Sequence, residues 1–351
     1  MSVTYHERPG VYSDYDASSA AASGGGTKTI AIAAKSDAPA GLYSFTGSAA
    51  ALEKVGAESE LGILLRLAFA NGAGTVLASP VASDTLEAYK AALARIFAEK
   101  KAAYVVCASG LETVRAELSA RVSAASGQRG ECIGFVGLPA GATAAQLTGA
   151  AAGLNSERMV LVGPGFTVKG QETAMGGWAG AAALCGVLAA QTDPALPLHG
   201  AALAGFTGAD AEFDDAAMDG LIRGGVTVCE TVSGQTSVVR GVTTRTKTAG
   251  VSDGTYRELS TMLIIDEVIP AIRAALRARF ARAKNNALTR SAIRSQVIVE
   301  LESRVAREII DSYDAVTVTP SDQDASMAVV EFGFAVTHGL TRILLTAHIS
   351  V

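Results

Sequence analysis

Residues 75–108 read TVLASPVASDTLEAYKAALARIFAEKKAAYVVCA. Residues 75–79 and 103–108 are short apolar runs bounded by Gly, Pro, Ser or charge, the pattern of strands covered on both faces. Between them, residues 84–100 place Leu86, Tyr89, Leu93, Ile96 and Phe97 at spacings of three and four, the stripe of an amphipathic helix. Ser83-Asp84-Thr85 supplies N-cap chemistry at its start. A strand, a helix and a second strand in this order imply an α/β layer structure.

The same alternation extends in both directions. Further strands are expected at residues 29–34, 132–137 and 159–163, and further helices at 61–70, 111–126 and 143–152. The expected fold is therefore α/β, a doubly wound mixed sheet core, with room for an inserted subdomain. Residues 173–190 predict another helix, followed by a Pro-bearing loop at 191–200 and an acidic loop with Asp210, Glu212, Asp214, Asp215 and Asp219. Residues 226–232 and 237–246 are β-prone, with Ser233-Gly234-Gln235 as the turn of a hairpin. Beyond Val251 the pattern changes to a long helix at 258–284, kinked by Pro270, and a second at 289–311. Two β segments, 328–337 and 341–351, follow. The second places Ile343, Leu345, Ala347, Ile349 and Val351 on one face, with no polar tail beyond it. The expected organisation is an N-terminal arm at 1–27, the α/β core at 28–250, an α+β C-terminal domain at 251–340 and a C-terminal arm strand at 341–351.

At 351 residues the chain exceeds the size at which one core usually stops growing. Apolar residues make up 49% and charged residues 18%, ample for a packed interior, while aromatics at 5% offer few anchors for bases or sugars. A net charge of −5 argues against nucleic-acid binding, which needs a basic surface to displace counterions. Cys107, Cys132, Cys185 and Cys229 lie in apolar surroundings with no CxxC spacing, and read as buried free thiols suited to a reducing cytoplasm. Met1–Gly10 is polar and carries Pro9, so no signal peptide is expected. The apolar stretch 174–190 is broken by Gly176, Gly177, Gly180 and Gly186, and reads as a buried helix rather than a membrane span.

No motif for chemistry stands out. Gly24-Gly25-Gly26-Thr27-Lys28 lacks the GxxxxGK[ST] spacing of a phosphate loop and precedes a strand instead of a helix. Gly163-Pro164-Gly165 ends a strand but lacks GxGxxG, so a tight turn explains it. His6, His199, His338 and His348 fall in no HExxH or Cys/His cluster, and no GxSxG elbow precedes a helix. Asp214-Asp215 reads as a solvated pair in the acidic loop. No cofactor, metal or catalytic residue is expected. One charge feature remains. Between Val268 and Ile298 there is no acid, while Arg273, Arg277, Arg279, Arg282, Lys284, Arg290 and Arg294 form a basic segment. It is either a solvated helix face or a docking surface for an acidic partner, such as another copy's 210–219 segment or the wall of an inner tube.

Several of these residues resemble the contractile phage tail sheath family. Arg8-Pro9-Gly10-Val11-Tyr12 resembles its PGVY-type opening, residues 30–34 its Gly/Ala-rich first core strand, and Phe69-Ala70-Asn71-Gly72-Ala73-Gly74-Thr75-Val76 its helix–NGG–strand element. The last hundred residues are similar to its C-terminal domain, with two long helices joined at Asn285-Asn286 and a terminal hairpin. The Ser/Ala/Gly tract after Tyr12 and residues 41–50 depart from the family pattern. The resemblance implies a structural subunit, not an enzyme, that polymerises helically with itself around an inner tail tube protein. It would meet baseplate and tail terminator proteins, with no nucleic acid and no direct membrane insertion. It also implies a place in the virion tail, assembly in the host cytoplasm, and contraction that drives the tube through the host envelope. Subunits would be linked by exchanged strands carrying Pro9, Gly10, Val11, Tyr12, Ile343, Leu345, Ile349 and Val351, with Arg273, Arg277, Arg279 and Arg282 as a tube-docking patch. The alternatives are an α/β enzyme with an unrecognised site and the sheath of a related phage-derived contractile injection system.

Overall fold

A computed structural model describes residues 28–341 and Leu345. The chain enters through β1 (Thr29–Lys35), β2 (Tyr43–Phe45), α1 (Ser48–Val55), α2 (Glu60–Ala70) and β3 (Thr75–Val81). It continues as α3 (Leu86–Glu99), β4 (Ala102–Cys107), α4 (Glu112–Gly127), β5 (Ile133–Gly137), α5 (Ala144–Leu154), β6 (Met159–Gly163) and β7 (Phe166–Val168). Next come α6 (Trp178–Ala190), β8 (Ala202–Leu203), β9 (Phe206–Ala209), α7 (Asp215–Arg223), β10 (Val226–Val232), β11 (Gln235–Arg240), β12 (Lys247–Thr248) and β13 (Val251–Ser252). Helices α8 (Leu259–Phe280) and α9 (Ala287–Ala306) lead to β14 (Ile310–Tyr313), β15 (Thr317–Pro320), β16 (Ala328–Glu331) and β17 (Phe334–Val336).

The principal sheet runs β2-β3-β1-β4-β5-β6-β10-β11-β8. Strands β3, β1, β4, β5, β6 and β10 are parallel, and β2, β11 and β8 join antiparallel at the two ends. Alternate residues feed opposite cores because side chains alternate across a pleated strand. Ile30, Ile32, Tyr104, Val106, Val160 and Val162 face α2, α6 and the start of α8. Ala31, Ala33, Val105, Cys107, Met159 and Leu161 face α3, α4, α5 and α7. This is the doubly wound mixed sheet expected from the 75–108 stretch. Local caps match the sequence chemistry. Ser59 accepts from the Gly62 N–H, Thr85 from Ala88, and Thr143 forms a capping box with Gln146.

The Gly-broken apolar stretch is the buried helix α6, and its glycines have a steric reason. A Cβ on Gly186 would stand 2.4 Å from the Ala68 carbonyl oxygen, and one on Gly177 would stand 2.1 Å from that of Val162. Helix α6 thus lies backbone-close to α2 and to the sheet. All four cysteines are free and buried, and burial pushes the Cys132 thiol up to about 11 and Cys229 to about 12. The β10–β11 hairpin turns on Ser233 and Gly234, both at positive φ, while Gln235 is already paired in β11.

Several expectations are corrected. Helix α9 ends at Ala306, not at residue 311: Glu308 takes φ 58°, and the β-branched pair Ile309-Ile310 turns into the start of β14. In the 237–246 run, β11 ends at Arg240, and Val242 beyond it forms only an isolated bridge to Glu258. Asp214-Asp215 is not a loop pair, because Asp214 caps α7 by accepting from the Ala217 N–H at 2.7 Å and Asp215 opens its first turn. The β segment at 328–337 is divided between β16 and β17, and its partners are β15 and β14. The expected partner strand at 341–351 lies outside the described residues apart from Thr341 and Leu345.

Candidate assembly surface

A third core sits under the last elements. Ile264, Val268 and Ile272 of α8 pack with Val297 and Leu301 of α9, and with Ile309, Ile310 and Val316 beyond it. Over this core the chain forms one interrupted antiparallel ribbon. Ile310 pairs with Val336 and Tyr313 with Phe334, then Thr317 pairs with Glu331 and Pro320 with Ala328. The two halves meet where Asp314 donates its N–H to the Gly333 carbonyl at 2.9 Å. Side chains fasten the ribbon to the helices. Arg294 Nε donates to the Val316 carbonyl at 2.8 Å, Tyr313 Oη to Glu302 at 3.1 Å, and Asn285 Nδ2 to the Ala325 carbonyl at 2.8 Å.

Two strands alone are marginal in water, and a ribbon presents two rows of unpaired backbone groups. Among the described residues no third strand pairs with either outer edge. The large sheet differs, since its edges are strands of three and two residues, too short to template a long partner. A shallow depression at the ribbon crossing, lined by Ala315, Thr317, Val330, Glu331, Phe332 and Gly333, offers about 470 Å³. The ribbon is thus fixed on its inner face, open at its edges and dimpled on its surface, which suits it to accept an extended segment.

The expected linking residues Pro9, Gly10, Val11, Tyr12, Ile343, Ile349 and Val351 lie outside the described residues. Leu345 is described, and it is 91% exposed. The four arginines of the basic segment separate into distinct roles. Arg273 binds Glu131 at 2.8 Å, tying α8 to the start of β5. Partial burial alone would raise the Glu131 carboxyl. The hydrogen bond from Arg273, a backbone hydrogen bond and the charges of Arg273 and Arg158 together hold it below its ordinary value. Arg279 donates to Gln296 at 2.7 Å and lies over the Phe280 ring. Arg277 and Arg282 are exposed, with no partner among the described residues. Elsewhere Arg158 meets Asp266 at 2.5 Å and Arg240 meets Glu258 at 2.5 Å, so α8 is held to the sheet by three ion pairs. Asp266 is nevertheless pushed above its ordinary value, because burial outweighs the help of Arg158.

The acidic segment is also partly committed within the subunit. Asp210 accepts from the Gly141 N–H at 2.6 Å, and Asp219 pairs with Arg223 at 2.9 Å. Strands β14 and β15 of this candidate surface were missed from sequence. The alternating Val316 and Val318, and the turn-rich Pro320-Ser321-Asp322-Gln323-Asp324 that follows, were their signal.

Comparison with known proteins bears on this arrangement. The family model described as the phage tail sheath protein central domain matches residues 82–244, and the phage tail sheath C-terminal domain matches residues 251–350. No curated protein matches the sequence. Among solved structures, a chain of the anti-feeding prophage baseplate is similar over 99% of this chain and 100% of its own, at 15% identity and TM-score 0.75. The anti-feeding prophage helical sheath in its contracted state matches over 99% and 100%, at 16% identity and TM-score 0.73. The sheath tail protein of Listeria innocua matches over 90% and 93%, at 12% identity and TM-score 0.71.

Proposed function

Because this chain belongs to the phage tail sheath family, we propose that it polymerises helically around an inner tube, as the sheath of a phage tail or of a related contractile injection system. In this reading its role is structural. The sheath contracts and drives the tube through a target envelope, and it meets baseplate and terminator proteins at its ends. In a phage it is assembled in the host cytoplasm and carried in the virion tail. Subunits are joined when Pro9–Tyr12 and 341–351 of one copy complete β-sheet in others.

The observation that carries this reading is the ribbon of β14–β17, with both edges unpaired among the described residues. Magnitudes explain why exchange needs a lattice. Burying Ile343, Leu345, Ile349 and Val351 yields about 6–12 kcal/mol at roughly 1.5–3 kcal/mol each. Ordering about ten backbone residues costs on the order of 10–20 kcal/mol, and ladder hydrogen bonds return about 0.5–1.5 kcal/mol each. A single exchange stands near balance; many exchanges in one tube become firm through effective concentration. Arg277 and Arg282, exposed and without a partner among the described residues, are the charges of the basic segment left available to meet the tube.

Negative-stain microscopy of purified protein tests this. The full chain is expected to form long hollow cylinders. A chain lacking residues 341–351 is expected to remain a soluble, folded subunit that forms none. Cylinders of normal length from the shortened chain would overturn strand exchange.

A further inference from the structure

Beside the ion pairs that hold α8 to the sheet, the carboxyl ends of α3 and α4 and the flank of α8 enclose a groove of about 480 Å³. Its apolar lining includes Ile96, Phe97, Ala103, Ala125 and Pro270. Its charged lining is Lys100, Lys101, Arg121 and Arg129 against Glu131 and Asp266. Most of these charges are satisfied. Lys101 pairs with Glu99, Arg121 with Glu117, Glu131 with Arg273 and Asp266 with Arg158. Lys100 and Arg129 are left exposed without a partner among the described residues.

Both of these cations sit where a side chain is least at home. Lys100 has φ 51° and Arg129 has φ 67°, the left-handed positions just past a helix where glycine is the default. Two strained sites at the mouth of one groove each carry a long cation. Such strain points toward a binding role.

The groove also lies where the chain enters the sheet. Thr29, the first residue of β1, is in register with Ala102, which lines the groove. Lys28 Nζ stands 5.8 Å over the Tyr104 ring and feels the charges of Glu267 and Asp266. A short way upstream the sequence reads Val11-Tyr12-Ser13-Asp14-Tyr15-Asp16, two aromatic rings alternating with two carboxylates. The residues between Asp16 and Lys28 can span up to about 40 Å when extended, ample to fold back onto an adjacent groove.

We propose that, in the unassembled subunit, this groove seats the chain's own residues 11–16, with Tyr12 and Tyr15 against the apolar floor and Asp14 and Asp16 on Lys100 and Arg129. Aromatic anchors in an apolar cleft, rimmed by opposite charge, form a common recognition arrangement. Tethering makes the contact effective at a local concentration in the millimolar range. The inference rests on the strand-exchange reading in one respect: Val11 and Tyr12 cannot occupy the groove and a neighbour's sheet together. Seating therefore holds back polymerisation until a growing end captures the segment.

The test is photo-crosslinking of the full chain with benzoylphenylalanine in place of Tyr15, on the unassembled fraction. The expected crosslinks join residue 15 to residues 96–103 or 124–132 of the same molecule. A mixture of normal and heavy-isotope protein should then give no mixed-isotope pairs. The Lys100→Glu/Arg129→Glu variant should lose at least about five-fold of this crosslink and polymerise after a shorter lag. The Lys100→Gly/Arg129→Gly variant should also lose crosslinking while its melting temperature holds or rises, because glycine relieves both φ angles. Crosslinks elsewhere, mixed-isotope pairs, or full crosslinking in the reversed variant would each overturn the proposal. Because the crosslink is read before any tube forms, it stands or falls separately from the truncation at 341–351.

Discussion

Reversing Arg273 to Glu should destabilise the subunit, whereas reversing Arg277, one helical turn away, should not. Arg273 meets Glu131 at 2.8 Å, with side chains 38% and 15% exposed, so the pair is partly shielded from water. At an effective dielectric of about 20, two unit charges about 4 Å apart interact by roughly 4 kcal/mol. Solvent screening at the more exposed arginine reduces the pair's net worth to about 1 kcal/mol. The reversal also sets two carboxylates against each other, and the sum comes to about 2–3 kcal/mol. Unfolding entropy scales to about 0.7 kcal/mol/K for a chain of this size, so the melting temperature should fall by about 3–4 °C. Arg277 has no partner among the described residues, and its reversal belongs with surface changes worth about ±0.5 kcal/mol. Thermal melts of the unassembled subunit measure both, and Arg273→Glu combined with Glu131→Arg should restore most of the loss. Equal melting temperatures for the two single variants would refute the assignment of Arg273 as a strut between α8 and the sheet.

The same pair sets a pH dependence: the folded-state Glu131 carboxyl lies below its ordinary 4.5, so its stabilisation is full at neutral pH and is lost as pH falls through that lower value. The melting gap between the native chain and Glu131→Gln should therefore close in acid, and a gap that widens below pH 4.5 would contradict it. Replacing Gly186 with Val should cost about 1–3 kcal/mol or more, read by denaturant melts, because the new Cβ would fall against the Ala68 carbonyl with backbone on both sides. Arg277→Glu/Arg282→Glu should weaken co-sedimentation with the inner tube at physiological salt and leave melting unchanged; undiminished co-sedimentation would remove these residues from the tube contact.

The core was legible because its residues obey one local rule at a time. In β1, Ile30 and Ile32 alternate with Ala31 and Ala33 between two cores, and in α3 the stripe from Leu86 to Phe97 meets the sheet on one face. The C-terminal ribbon was harder to see. Its strands are three or four residues long, and residues 328–336 change partner midway. Ile309-Ile310 continues the apolar rhythm of α9 so well that only the turn at Glu308 reveals the helix end. The basic segment could be counted from sequence. Its division into a strut at Arg273 and free charges at Arg277 and Arg282 could not, because Glu131 lies on a distant part of the chain. Asp214 is similar: its capping role depends on α7 forming, and the surrounding Asp and Gly residues masked that helix.

A near-atomic reconstruction of the tube formed by the purified full chain bears on all of this at once. It should contain, beside an outer edge of the 310–336 ribbon, an added strand traceable to residues 341–351 of a different copy, with Leu345 no longer exposed. Tubes whose ribbon edges stay bare, or whose residues 341–351 pair only within their own subunit, would contradict the exchange on which the proposed assembly depends.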